Sequence, residues 1–513
     1  MTRDSRSPDA IPKSSAARTN AARLSRRAFL GAGAASGALA LASPLGAQTA
    51  PAVVRSPYPV ARPSDLWKRA VPSGAQVVAD ARLGGAVSAA VADAATGVML
   101  DQFDGADALP PASVAKVITA LYALEHLGAD HRFGTQVIAT GPVAGGIVQG
   151  DLVLAGGGDP TLDSDGLVAL VAQLKAAGIT GVSGAFRVWD GALPQIERID
   201  SDQTDYAGYN PAISGLNLNY NRVNFEWRKQ GGAYAVSMDA RAATVVPAVR
   251  VASVSIVARS TPLFAYRADA THEYWSVAQE ALGNGGSRWL PVRRPALYAG
   301  DVFATLAAAQ GVRLGPVQEA RGLSAGTVVA SVASAPLTVI VKDMLKYSTN
   351  LTAEVLGLAT TRARGGQAST LKASAGLMSD WAQARFGVRS LSFVDHSGLG
   401  GASRITGADM VRVLVAPGVE ARLAPLLKAV AVEDEGVSVV AKTGTLDFAS
   451  ALAGYVEVGG KRLAFASFAA DLPARRQAQA SAAEVPVGAR TYNSRAKALH
   501  RAWISRWSTL YAV

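Results

Sequence analysis

The stretch PASVAKVITALYALEHLG, residues 111–128, sets the strongest constraint on what this chain can fold into. Val114, Val117, Ile118, Leu121, Leu124 and Leu127 recur at helical spacing, and Gly128 supplies a stop. Such a helix is built to be buried, so other elements must cover it. Yet Ser113 and Lys116 stand at its head. Positions i and i+3 share one helix face, so the hydroxyl and the amine would lie side by side at the start of a buried element. The plainer reading is an N-cap serine followed by a surface lysine. The sharper one is a serine nucleophile with a lysine as its base. A hydroxyl is a weak nucleophile until a neighbour takes its proton. A lysine does this only when neutral, a state that burial and a second nearby cation, Lys442 being the candidate, would favour.

Two further motifs give the pair a setting. Ser-x-x-Lys alone is weak, since it recurs at Ser369–Lys372 and Ser494–Lys497. Ser-x-Asn occurs at Ser348-Thr349-Asn350 and Lys-Thr-Gly at Lys442-Thr443-Gly444, and only the pair at 113 precedes both. The other two pairs read as surface features. The ordered trio has a chemical logic. Ser348 and Asn350, on a loop or helix end, could relay a proton to a leaving group and hold a substrate amide. Lys442-Thr443-Gly444 opens a strand, and the glycine leaves room for a substrate backbone to lie along it. The Thr443 and Thr445 hydroxyls would meet a substrate carboxylate. The backbone N–H groups of Ser113 and Thr445 would form an oxyanion hole, where one donor is typically worth about 3 kcal/mol.

At 513 residues, two or three domains are expected. With 49% hydrophobic and 17% charged residues the chain reads as globular. The net charge is +11, but residues 1–50 hold seven basic and two acidic side chains, and no basic run interleaved with aromatics points to nucleic acid. RLSRRAFLGAGAASGALALASPLGAQTA, with Arg26 and Arg27 ahead of a mild apolar run, resembles a twin-arginine export signal. It is expected to span residues 1–47 and to deliver the chain to the periplasm. Beyond it no long uncharged apolar stretch suggests a membrane span. The absence of cysteine excludes disulfides, thiolate catalysis and cysteine metal sites.

Along the chain, 53–65 reads as a linker. AVSAAVADAATGVMLDQFDG reads as a hairpin ahead of the Ser113 helix, and residues 136–290 as short strands and glycine turns around one helix, 166–178. Helical patterns return at 294–315 and 336–363. FASALAGYVEVGGKRLAFASFAADL reads as two strands joined at Gly459-Gly460. A last amphipathic helix puts Trp503 and Trp507 on one face.

These motifs resemble the penicillin-binding, active-site-serine DD-peptidase and β-lactamase superfamily. GDLVLAGGGDPTL, YNPAISGLNLNYNRV, VKDMLKYSTNLTAEVL, VDHSGLGGASRIT and AKTGTLDFASALAGYV narrow this to the class C low-molecular-mass penicillin-binding proteins, the D-alanyl-D-alanine carboxypeptidase/endopeptidases. The resemblance implies an α+β fold: a β-lactamase/transpeptidase-like domain (antiparallel sheet flanked by helices) at 54–135 plus 292–513, with a β-rich insertion at 136–291. It implies cleavage of peptidoglycan stem peptides or cross-links through an acyl-enzyme on Ser113, inhibition by β-lactams, and no metal or organic cofactor. Family members read Ser-Gly-Leu-Ser-Arg after the second motif. Here SGLGGASR interposes residues before Arg404, the candidate for a substrate carboxylate. An insertion aspartate reads the substrate side chain in the family, and Asp190 is the candidate here.

Four other readings compete. A β-lactamase would share Ser113 but need a glutamate-held deacylating water and a shorter chain. Gly322-Leu323-Ser324-Ala325-Gly326 matches the α/β-hydrolase elbow, but the strand follows the serine instead of preceding it. The five histidines are too scattered for a metallopeptidase. An inactive wall-binding relative would be expected to have lost one of Ser113, Lys116, Ser348, Asn350, Lys442 or Thr443.

Overall fold

The computed structural model describes residues 71–480 and 486–511. The expected export signal and linker, 1–47 and 53–65, lie outside the described residues. Strands β1 (Ala86–Asp93) and β2 (Met99–Phe103) form the expected hairpin. A tight 3-10 turn at Ala112–Ala115 then leads into helix α1 (Lys116–His126). The chain leaves this body through β3 (Gly134–Ala139), β4 (Leu152–Gly156), α2 (Ser164–Ala176) and β5 (Phe186–Trp189). Two three-stranded sheets follow, centred on Arg222–Gln230 and Glu273–Ala278. Then come α3 (Pro295–Ala309), β6 (Val317–Glu319) and β7 (Thr327–Ala333).

The body resumes with α4 (Leu337–Tyr347), α5 (Asn350–Ala363) and α6 (Leu371–Phe386). It closes with the antiparallel strands β8 (Val437–Leu446), β9 (Ala449–Val458) and β10 (Lys461–Ala470), then α7 (Leu472–Ala480) and α8 (Ala489–Tyr511). The main sheet has six strands in the order Lys428–Ala429, β8, β9, β10, β1, β2. It is antiparallel throughout and covered by helices on both faces, the α+β architecture implied by the motifs.

Strand periodicity of two explains the sandwich. Ala90, Ala92, Ala451, Ala453, Ala464 and Ala466 face the core that holds α1, while Val91, Leu452, Val456 and Phe465 face α8. The small side chains allow α1, buried from Lys116 to Leu124, to lie close to the sheet. On the other face Trp503 and Trp507 stack with ring centroids 5.1 Å apart, as their helical spacing suggested.

The insertion has its own core, and it runs further than the expected boundary at 291. α3 contributes Tyr298, Val302, Phe303 and Ala307 to it, and Phe303 stacks on Phe186 at 5.6 Å. β7 pairs with β3 in a five-stranded sheet ordered β6, β5, β4, β3, β7. The inserted unit therefore runs through Ala333. Helix α3 is apolar on nearly every side, so it has to be enclosed, and the insertion sheet encloses it.

His500 on α8 lies fully buried between the hydroxyls of Ser467 (2.9 Å) and Ser450 (3.1 Å). Burial holds its pKa down to about 3 against 6.5 for a free imidazole. The native state therefore does not bind a proton here between those values, whereas the unfolded chain does. Folding stability should fall as pH drops below 6.5, by about 1.4 kcal/mol per pH unit for this one group. The substitution H500N should remove that share of the slope of unfolding free energy against pH between 6 and 4, measured by urea titration at each pH.

Candidate active site

The three motifs converge where the main sheet meets α1. Ala112, just before Ser113, adopts a left-handed backbone with φ of 45°, which turns the chain sharply and sets the hydroxyl at the helix head. Two glycines let other backbones approach this turn. A Cβ on Gly444 would lie 2.6 Å from the Pro111 carbonyl oxygen, and one on Gly398 would lie 1.9 Å from that of Ala112. The expected helix 336–363 is broken at Ser348, which takes φ of 60° as the left-handed cap of α4. The break presents Ser348 to the site and restarts the helix at Asn350.

Lys116 is completely buried. Its Nζ donates to Ser113 Oγ at 3.0 Å, to Asn350 Oδ1 at 2.7 Å and to the Ser397 carbonyl at 2.8 Å. Three acceptors match the three hydrogens of an ammonium. Burial lowers the pKa to about 8, and the charges of Glu354 and Asp395 oppose that fall. Lys442 is 2% exposed. Its Nζ donates to Ser348 Oγ at 3.0 Å and to the Thr443 carbonyl at 2.7 Å. Its pKa is driven to about 6, first by burial and then by Lys116. Of the two causes expected from the sequence, burial is the larger at Lys116, and the repulsion between the two amines disfavours charging both.

Asn350 ties the site to the insertion, since its Nδ2 donates to the Tyr209 carbonyl at 2.9 Å. A cleft of about 320 Å³ opens over Ser113, Ser348, Asn350 and Thr445 and continues past Leu446 to Asp447. Tyr209 of the insertion lines it beside Asn350, and Asp202 of the insertion and Arg475 of α7, the latter bonded to the Asp447 carbonyl at 3.0 Å, line it as well. Thr443 and Thr445 are exposed on β8, on either side of the buried Gly444.

Two expected residues are not brought to Ser113. The Arg404 guanidinium turns back onto the carbonyls of Gly401 and Ser403, at 2.7 and 2.9 Å, and does not line the cleft. Extra small residues let the segment curl, and Arg475 lies against Gly401, with its Nε and Nη2 2.8 Å from where a Cβ there would sit. Asp190 accepts from Ser214 Oγ and Gln195 Nε2, both at 2.7 Å, and lines a separate 270 Å³ cavity with Arg293 and Arg294. The other two Ser-x-x-Lys pairs are exposed.

Sequence reasoning missed Glu354, Asp395, Ser397 and Arg475. Glu354 left one signal: it falls four residues after Asn350 on an apolar helix and so on the same face. Arg475 left none, because ARRQ after a strand reads as solvent-exposed. Among the described residues no helix is long and apolar enough to cross a membrane, and no group of three or more His, Cys, Asp or Glu side chains could hold a metal ion.

The chain is 31% identical over 433 residues to a D-alanyl-D-alanine carboxypeptidase of Actinomadura sp. (strain R39), covering 76% of this chain and 78% of that one. It is 28% identical over 290 residues to a carboxypeptidase of Mycobacterium tuberculosis, covering 49% and 61%. Penicillin-binding protein 4 of Haemophilus influenzae has the same fold, with a TM-score of 0.65 at 19% identity, over 81% of this chain and 99% of that one. The model of the D-Ala-D-Ala carboxypeptidase 3 (S13) family matches residues 73–488. This chain belongs to the D-Ala-D-Ala carboxypeptidase 3 (S13) family.

Proposed function

We propose that this chain is a serine hydrolase that cleaves the D-alanyl-D-alanine end of peptidoglycan stem peptides, and cross-links built on the same bond, through an acyl-enzyme on Ser113. The observation that carries the reading is the buried Lys116 amine, 3.0 Å from Ser113 Oγ. In its neutral form Nζ takes the Oγ proton as Oγ bonds to the carbonyl carbon of the penultimate D-Ala. The N–H groups of Ser113 and Thr445 receive the developing oxyanion. The C–N bond then breaks, and the leaving amine takes a proton through Ser348 Oγ, with the Lys442 amine 3.0 Å behind it. Asn350 holds the substrate amide, and Thr443 and Thr445 hold the terminal carboxylate. Water attacks the ester, the acid is released, and Ser113 recovers its proton. A β-lactam would acylate the same oxygen; the Haemophilus influenzae protein has been solved with a β-lactam bound.

The cleft runs from Ser113 along β8 toward Asp447, away from Lys442. This end would take the acyl-donor side chain, with Arg475 and Asp202 as the charged side chains lining it. The proposed setting is the periplasm, reached through the twin-arginine-type segment at 1–47.

Replacing Ser113 by Ala should abolish covalent labelling by a fluorescent penicillin; an adduct that persists would mean that another residue is the nucleophile. An adduct that forms and then clears within seconds would favour the β-lactamase reading instead. The sign of the pH dependence follows from Lys116. Its amine is protonated and inert as a base below about 8 and neutral above it. The acylation rate of the wild type should therefore rise about tenfold per pH unit on approaching 8 from below and level off above it. A rate flat from pH 6 to 9 would contradict Lys116 as the base.

A further inference from the structure

Glu354 is a buried carboxylate that the reaction above leaves unused. It lies on α5 with no exposure, one helical turn after Asn350. Its Oε2 accepts from the His396 N–H and its Oε1 from the Ser397 N–H, both at 2.9 Å. The carbonyl of that same Ser397 accepts from Lys116 Nζ at 2.8 Å. One carboxylate therefore pins two successive N–H groups of the loop that presents an acceptor to the amine. Asp395, one residue before them, pins the far side of the loop by accepting from the N–H groups of Gly398 and Gly400.

We infer that Glu354 is a positioning residue for the proposed base: it fixes the Ser397 carbonyl against Lys116, and its buried carboxylate governs when that amine gives up its proton. The inference rests on reading Lys116 as the base. A second arrangement with the same atoms would be purely mechanical, with Glu354 tying α5 to the loop and having no say in the chemistry. The two differ electrically. Burial drives the Glu354 carboxyl up to about 8 and the Lys116 amine down to about 8, each charge opposing the other's shift, so the two groups gain and lose protons over the same pH range. The other charged or titratable groups around the pair are Asp395 and His396 on the loop and Lys442 on β8, with Asp200 of the insertion acting on Asp395. His396 is held neutral by burial, its Nε2 against Ser374 Oγ at 2.8 Å.

The test is the pH dependence of Ser113 acylation by a fluorescent penicillin, in the wild type and in E354Q. Gln keeps the shape and one acceptor but loses the charge. Without the neighbouring negative charge the neutral amine forms more readily. The acid limb of E354Q should therefore move down by about one pH unit, while the plateau rate falls on the order of tenfold because the Ser397 carbonyl is less well held. An E354Q limb superimposed on that of the wild type overturns the inference, whatever happens to the melting temperature. Should E354Q fail to fold, E354D keeps the charge but draws the carboxylate back by one methylene. It should acylate on the order of tenfold more slowly with the limb in place, because the loop is released and the charge is kept; acylation at the wild-type rate overturns the inference. A wild type that is never acylated would overturn the underlying reading of Ser113 and Lys116, a result distinct from either.

Discussion

The structure turns on one amine removed from water. Lys116 is enclosed on every side, and a charged ammonium so placed costs several kcal/mol unless it is paired or held by acceptors. The oxygens of Ser113, Asn350 and Ser397 offset much of that cost, and the Glu354 and Asp395 charges offset more. What remains is a lysine whose neutral form lies within reach of neutral pH. That is the property a serine hydroxyl needs in its neighbour. The acceptors come from three stretches of chain, around residues 113, 350 and 397, so the amine's environment exists only when the whole body is folded.

Bringing those stretches together demands close backbone approach, and the sequence meets the demand with small residues. Alanines line the sheet face toward α1, and glycines stand at 398 and 444, where a Cβ would collide with the turn before Ser113. Ala112 and Ser348 hold left-handed conformations that cost a non-glycine residue on the order of 1–2 kcal/mol each. Both strained residues adjoin or belong to the proposed catalytic groups, and the packing around them keeps the strain in place. The insertion contributes through the Tyr209 carbonyl, which holds Asn350, and through the cleft wall at Asp202.

The parts legible in the sequence were those governed by local periodicity and by residue order. The buried helix, the hairpin, the paired terminal strands and the tryptophan-bearing last helix all follow from apolar spacing, and the order of the three motifs selected Ser113 over two look-alike pairs. What stayed hidden depends on side-chain direction and on contacts between distant residues. Arg404 has the expected residue type close to the expected place, but the two glycines before it let its segment curl so that it bonds its own backbone. Asp190 faces a different cavity. Glu354 and Ser397 act through backbone groups, which no residue pattern announces. The end of the insertion was set too early because α3 looks like a body helix, and only its packing on Phe186 assigns it to the insertion.

The most direct measurement is the titration of the Lys116 amine itself. Lysines carrying ¹³C at Cε can be followed by NMR from pH 5 to 11, with Lys116 assigned by its loss in a K116M variant. The account predicts a Lys116 resonance that titrates near 8, well below the ordinary 10.5. A Lys116 resonance that titrates near 10.5 with the other lysines would contradict it, since an amine still charged at pH 9 could not take the serine proton.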